Sequence, residues 1–184
     1  DLGENNFGYR TYNGSSLSSE SDLSRSGVDG NDYVLLVPKP DSDTIVLITV
    51  GQLSSGDPAI SANIWNGSSW AGWTTIENEA TTNDDECFAF AWETNSGDGL
   101  LVYGQNGQST PRYRTLSGTS WGSENSLPST GSAPKWVTLA SDPASNKLIF
   151  GGLDNSNDLN VNIWSGSSWG TNYEHETSMA TTDR

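Results

Sequence analysis

The stretch Asn63-Ile-Trp-Asn-Gly-Ser-Ser-Trp70 decides the fold, because closely similar phrases stand at three other places in the chain. These read Tyr9-Arg-Thr-Tyr-Asn-Gly-Ser-Ser-Leu17, Tyr113-Arg-Thr-Leu-Ser-Gly-Thr-Ser-Trp121 and Asn162-Ile-Trp-Ser-Gly-Ser-Ser-Trp169. Their central glycines, Gly14, Gly67, Gly118 and Gly166, are spaced by 53, 51 and 48 residues. A near-constant spacing of this kind indicates a structural unit that is repeated along the chain.

Each phrase predicts a tight turn between two short strands. Asn-Gly and Ser-Gly supply the positive φ angles that such a turn needs, and strand-forming residues flank them. We therefore expect four polar hairpins, each with a Trp or Leu three residues after its glycine.

A second, apolar hairpin is predicted between successive phrases. It consists of two short apolar runs separated by turn residues, which is the usual hairpin pattern. The three copies are 33–37 with 44–51, 87–92 with 100–104 and 136–140 with 147–152. No segment shows the periodicity of a helix.

The apolar runs narrow the fold class. Val34-Leu-Leu-Val37, Phe88-Ala-Phe-Ala91 and Leu148-Ile-Phe150 are nearly continuous, so both faces of these strands should be covered. A unit of about 50 residues with two buried inner strands and two polar outer strands fits a propeller blade. We predict an all-β fold, a β-propeller of four-stranded antiparallel blades in which the turn tryptophans cap the crevices between blades.

The predicted units fill a single repeat domain over residues 1–184. They are an opening half blade (7–20), three blades (33–73, 87–124 and 135–172) and a link to a further strand (173–184). Since closed propellers usually have at least four blades, we expect an incomplete or partly sequenced propeller. More sequence, strands from elsewhere or another chain would then complete the opening hairpin.

Two local patterns resemble known propeller repeats. Asp142-Pro-Ala-Ser-Asn-Lys-Leu-Ile-Phe-Gly-Gly152 resembles the second-strand region of kelch repeats, although the other copies carry the single glycines Gly51 and Gly104. The Gly-x-Ser-Trp stretches ending at Trp70, Trp121 and Trp169 resemble the end of the Asp-box hairpin of sialidase-like propellers, but without its Asp. The resemblance covers residues 7–175 and implies a β-propeller repeat protein of no specific family.

The charge balance excludes two classes of partner. The chain carries 8 Lys+Arg against 23 Asp+Glu, a net charge of −15, which repels nucleic acid and anionic membrane surfaces. No apolar run is long enough to insert into a membrane. The aromatic content of 10% argues for a folded chain rather than a disordered one.

Catalytic chemistry has little basis in the sequence. The single histidine, His175, stands between two glutamates near the end of the chain, and Cys87 begins an apolar strand. Neither has a partner residue in a recognisable spacing, so we predict no catalytic residues and no enzyme activity.

No cofactor is expected, with Ca²⁺ as the one candidate. Asp154, Asn155, Asn157 and Asp158 offer oxygen ligands within one short segment. The alternative is that these are solvated turn residues.

The predicted partners are other copies of the chain or surface glycans. A glycan could stack on aromatic faces at the repeated hairpins, for which the candidates are Trp65, Trp70, Trp73, Trp121, Trp164 and Trp169. Packing between blades is the alternative role for the same residues. Asn13 and Asn66 each begin an Asn-Gly-Ser sequon and are candidate glycosylation sites, although Asn-Gly is also simply a preferred turn dipeptide.

These observations lead to a functional expectation. We expect a non-enzymatic module, extracellular or at the cell surface, that serves adhesion or structural assembly. The alternatives are a carbohydrate-binding, lectin-like propeller and a part of a glycosidase or hydrolase propeller.

Overall fold

The computed structural model describes residues 6–179, and in them it contains strands and turns but no helix. It starts with an opening hairpin of two antiparallel strands, β1 (Asn6–Tyr9) and β2 (Ser21–Ser24). Three antiparallel sheets follow in chain order, named here the first, second and third sheet.

The first and third sheets each have four strands in sequential order. The strands of the first sheet are β3 (Val28–Pro38), β4 (Thr44–Leu53), β5 (Pro58–Asn66) and β6 (Thr74–Glu77). Those of the third sheet are β12 (Pro134–Ser141), β13 (Leu148–Asp154), β14 (Leu159–Trp164) and β15 (Tyr173–Glu176).

The second sheet differs only in its outermost position. Its inner strands are β7 (Phe88–Trp92), β8 (Gly99–Tyr103) and β9 (Arg112–Ser117). The outer edge of β9 is bonded by two short strands, β10 (Ser120–Trp121) and β11 (Asn125–Ser126). The predicted all-β fold of four-stranded antiparallel units is thus confirmed.

The four glycine-centred phrases form turns of the same register. In each, the residue two before the glycine pairs with the residue three after it: Tyr12 with Leu17, Trp65 with Trp70, Leu116 with Trp121, and Trp164 with Trp169. The φ angles of the four glycines, in chain order, are +94°, +96°, +60° and +97°. The turn prediction is therefore confirmed at all four positions.

The outermost strands lie further along the chain than the sequence pattern predicts. Residues 173–184 were expected to form a link, but Tyr173–Glu176 is the fourth strand of the third sheet and pairs with β14. In the first sheet, β6 likewise follows residue 73, where the blade was expected to end. In each sheet a short segment outside the strands follows the Trp, and the outermost strand begins after that segment. Residues 180–184 of the expected link lie outside the described part of the chain.

Apolar side chains pack in two layers between consecutive sheets. The layer between the first and second sheets includes Val46, Ile48, Phe88 and Phe90. The layer between the second and third sheets is formed by Ala89, Ala91, Leu100 and Val102 against a set from the third sheet, Val137, Leu148, Phe150 and Trp164.

Burial on both faces is confirmed for the inner strands of the second sheet but not for the flanking sheets. Every residue of β7 and β8 is buried. Val34, Leu36 and Ile149 belong to apolar runs that predict coverage on both faces, but they are exposed. They lie on the outward faces of the first and third sheets, on the opposite side from the two apolar layers.

Candidate functional site

The predicted sugar-binding tryptophans lie in separate aromatic groups rather than in one site. Trp65 and Trp70 have ring centroids 5.6 Å apart, and Tyr9 of the opening hairpin packs edge-on to both, at 6.2 and 5.9 Å. The two contacts of Tyr9 cross from the opening hairpin to the first sheet, whereas Trp65 and Trp70 belong to the same structural unit.

The third sheet repeats this arrangement. Trp164 and Trp169 have ring centroids 5.4 Å apart, and Tyr113 of the second sheet packs edge-on at 5.5 and 6.0 Å. Tyr113 and Tyr9 both stand five residues before a turn glycine, so the two tyrosines play the same part in units two repeats apart.

The other two tryptophans of the predicted set also contact neighbouring aromatic rings. Trp121 lies 6.1 Å from Phe90, and Trp73 lies 5.7 Å from Phe7 with the Arg25 guanidinium over its ring at 5.5 Å. These faces are engaged by protein groups. Sugar binding at the six tryptophans stays a prediction, whereas their packing between units is directly visible.

The indole nitrogens differ in their partners. Trp164 Nε1 donates to Glu93 Oε1 at 2.6 Å across the boundary between the second and third sheets. The Nε1 atoms of Trp70, Trp73 and Trp169 are buried and have no hydrogen-bond partner among the described residues. A ligand hydroxyl could reach these nitrogens only if the aromatic groups opened.

The candidate Ca²⁺ segment forms a tight turn around one buried carboxylate. Asp154 Oδ1 accepts hydrogen bonds from the amides of Ser156 and Asp158, at 2.8 and 3.0 Å. Asn157, with φ +66°, accepts a hydrogen bond from Lys135 Nζ at 2.7 Å. Asn155 donates its amide to the carbonyl of Ala133.

The donors around this turn are protein N–H groups. Asp158 Oδ1 also accepts one, from the amide of Ser178 at 2.9 Å. Within the part of the chain that the structure describes, no group of three or more His, Cys, Asp or Glu side chains is arranged to hold a metal ion. The Ca²⁺ hypothesis stays a prediction at these residues.

The two sequon asparagines lie at exposed hairpin tips, where each organises its own turn. Asn13 Oδ1 accepts hydrogen bonds from the amides of Ser15 and Ser16, at 3.0 and 2.9 Å. Asn66 Oδ1 accepts from the corresponding amides of Ser68 and Ser69, both at 3.0 Å. Both side chains are exposed to solvent, as a modification would require.

The two residues considered for catalysis differ in their exposure to solvent. His175 is exposed on the outermost strand, β15. Cys87 is buried, and burial raises the pKa of its thiol to about 11. A thiol with so high a pKa stays protonated and is a poor nucleophile near neutral pH.

A cleft of about 390 Å³ opens where the inner strands of the three sheets meet. Its walls include Leu35 of β3, Phe90 of β7, Val137 of β12 and Leu153 of β13, and among the described lining residues Glu86 is the one that carries a charge. A glycosidase needs a pair of carboxylic acids flanking the scissile bond, and the described lining of this cleft contains one acid, Glu86.

The third sheet has an exposed apolar face that its sequence does not predict. Ile149 and Ile163 pair across the sheet and are 47% and 49% exposed. Val46 and Ile64 form the equivalent pair of the first sheet, since Ile64 and Ile163 both stand three residues before a turn glycine. That pair is covered by the second sheet and is only 0% and 3% exposed.

No protein-family model matches the chain, and no curated protein matches it. The described residues contain no helix that could cross a membrane. The function is therefore inferred from the geometry of the exposed surfaces.

Proposed function

We propose that the chain is a non-enzymatic module, extracellular or at the cell surface, that serves structural assembly or adhesion through its exposed sheet faces. The observation that carries the proposal is the exposure of Ile149 and Ile163 at positions where the first sheet makes a buried contact. Contiguous apolar surface on a folded domain usually marks a contact with another macromolecule.

We further propose that the three sheets and the opening hairpin are consecutive blades of a propeller-like array. Support comes from three features: the sequential strand order of every sheet, the face-to-face packing of consecutive sheets, and the cleft at the inner strands. In such an array each sheet covers the next one, so a sheet at either end leaves a face for a further partner.

The absence of an enzymatic role is supported by the chemistry of the cleft and of Cys87 described above. The extracellular or cell-surface location is supported by the net charge of −15 and by the exposed sequons at Asn13 and Asn66. The most favoured partner is another copy of the chain or a further unit of the same kind, because its contact face would match the one buried inside the molecule.

The test is sedimentation velocity over a range of protein concentrations. We expect the wild-type chain to self-associate and the double variant Ile149→Asp/Ile163→Asp to stay monomeric, because charged side chains would have to be desolvated in the contact. The control is Ser167→Asp, which adds a charge at an exposed turn of the same sheet. A wild-type chain that is monomeric throughout and matches the double variant would overturn the assembly role.

A further inference from the structure

Among residues 6–179, one backbone edge of the opening hairpin has no strand partner, unlike the corresponding strands of the other units. Strands β5, β9 and β14 each lead into a turn glycine and are each bonded on both sides. Strand β1 leads into the turn at Gly14 in the same way, but among the described residues it is bonded only to β2. An unpaired strand edge is a template for a further strand.

The first sheet has an exposed apolar face at the ladder positions that a preceding sheet covers in the second and third sheets. Equivalent positions in the three sheets can be found by following the ladder from the turn glycine. Asn63 stands four residues before Gly67, it pairs with Leu47, and Leu47 pairs with Leu36. By the same count, the equivalents of Leu36 are Phe90 in the second sheet and Leu139 in the third. Leu36 is 57% exposed, whereas Phe90 is 5% exposed and Leu139 packs against the layer between the sheets.

Val34 follows the same pattern two residues earlier. It is 52% exposed, while its equivalents in the second and third sheets, Phe88 and Val137, are buried. In the second and third sheets, each of these pairs is covered by the preceding sheet. For Val137 and Leu139 the cover includes the inner hairpin Phe88–Trp92 and Gly99–Tyr103, through Ala89, Ala91, Leu100 and Val102.

A buried cation marks the border of this open region. Arg25, which follows β2, donates from NH1 to Thr49 Oγ1 at 2.7 Å, and Thr49 is the ladder partner of Val34. Its NH2 is buried without an acceptor among the described residues. A buried donor without an acceptor is costly to stability.

We propose that the free edge of β1 together with Val34 and Leu36 is a docking site for an apolar β-hairpin on a partner polypeptide, one with the chemistry of residues 88–103. One strand of the partner pairs with β1, and its face of small and branched side chains covers Val34 and Leu36. A hairpin docked there would cover both the unpaired edge and the exposed face, and the same contact exists between the second and third sheets. The inference rests on the assembly role proposed above and names a partner for it at a different surface.

The direct test is titration of the chain with a peptide of residues 88–104, made soluble by added terminal lysines and followed by calorimetry. We expect saturable one-to-one binding that Leu36→Asp weakens by at least about tenfold, the loss expected from a buried leucine contact. The control peptide carries Leu100→Asp and Val102→Asp on the docking face and should not bind. Equal binding of the two peptides, or of the wild-type chain and the variant, would overturn the proposal.

A fusion protein keeps the test decisive if the free peptide does not fold. Residues 88–104 are placed directly before Asp1, so that Gly104 and residues 1–7 separate Tyr103 from Gly8. This reproduces the eight residues that separate β8 from β9, because Gly8 and Arg112 both stand six residues before a turn glycine. We expect amide exchange in β1 to slow at least about tenfold and Leu36→Asp to reverse the effect.

The outcomes separate this proposal from the assembly role. If neither peptide nor fusion changes the chain while Ile149→Asp/Ile163→Asp still abolishes self-association, the docking site is wrong and the assembly role stands. If self-association is abolished by Val34→Asp/Leu36→Asp instead, a second copy occupies this face and the hairpin proposal is overturned. If hairpin binding is observed in a chain that never self-associates, the docking site stands and the third-sheet contact is wrong.

Discussion

Trp164 Nε1 donates a 2.6 Å hydrogen bond to Glu93 Oε1, which joins the third sheet to the second. Glu93 is buried, and its other oxygen accepts a hydrogen bond from Ser96 Oγ at 2.6 Å. The boundary between these sheets therefore contains a satisfied carboxylate beside its apolar layer. Because a buried carboxylate is stabilised only by its donors, the bond ties the stability of one sheet to the placement of the next.

Trp164→Phe removes the donor while keeping an aromatic ring in the layer. We expect the free energy of unfolding, measured by urea denaturation, to fall by about 2 kcal/mol, since Glu93 Oε1 is left without its partner. The control is Trp65→Phe, the same change at the same register position of the first sheet, where no described carboxylate accepts a hydrogen bond from the indole. Equal losses in the two variants would contradict a specific role for the hydrogen bond.

The turn glycines should differ in their tolerance of a side chain. Gly166 has φ +97°, and a Cβ atom there would lie 2.9 Å from Asn146 Cβ, whereas Gly118 has φ +60° and open space around that position. The conformation at Gly118 is left-handed helical, so we expect Gly118→Ala to cost about 1 kcal/mol of unfolding free energy. Gly166→Ala should cost at least twice as much. Thermal unfolding of the two variants checks the order, and a larger loss at Gly118 would show that the steric contact is unimportant.

The sequence predicts the local structure well because its signals are local. The four turns depend on Asn or Ser followed by Gly, and those residues adopt the expected register in every copy. Strand β15 was not predicted because Tyr173–Glu176 is a polar segment with every residue exposed, and it forms a strand through its pairing with β14. Its sequence contains no apolar alternation to find.

Whether a sheet face is buried cannot be predicted from local sequence, because it depends on which units pack against that face. Val34 and Phe88 are both apolar residues in inner strands, yet one is exposed and the other buried. Their own segments do not encode that difference. Similarly, the acidic segment at Asp154 looks like a set of cation ligands in sequence, whereas in the structure its first carboxylate turns inward to backbone amides.

Cys87 should make the protein less stable at alkaline pH. Burial raises the pKa of its thiol to about 11, whereas the pKa of a thiol in an unfolded chain is about 8.5. The contribution of the buried thiol is complete below the unfolded pKa and is lost as the pH rises towards 11, because the unfolded state then releases its proton first. Tyr103 acts in the same direction, since burial raises its pKa as well.

Urea denaturation between about pH 8 and 11 measures this effect. We expect the free energy of unfolding of the wild-type chain to fall more steeply than that of Cys87→Ala, which lacks the thiol but keeps Tyr103. Parallel pH profiles for the two proteins would show that the thiol titrates alike in the folded and unfolded states.

Asp154 should act as a structural carboxylate whose effect does not depend on a metal ion. Its side chain is fully buried, and two backbone amides donate to Oδ1. Asp154→Ala leaves those amides unpaired, so we expect the free energy of unfolding to fall by about 3 kcal/mol, against about 1 kcal/mol for Asp158→Ala, where the carboxylate is only half-buried. Thermal unfolding with and without added Ca²⁺ distinguishes a structural carboxylate from a Ca²⁺ ligand at Asp154. We expect the same Tm in both conditions for the wild-type chain, because amide hydrogens already occupy the oxygen that a cation would need. A Tm that rises with Ca²⁺ in the wild-type chain but not in Asp154→Ala would instead establish the cation site that the sequence suggests.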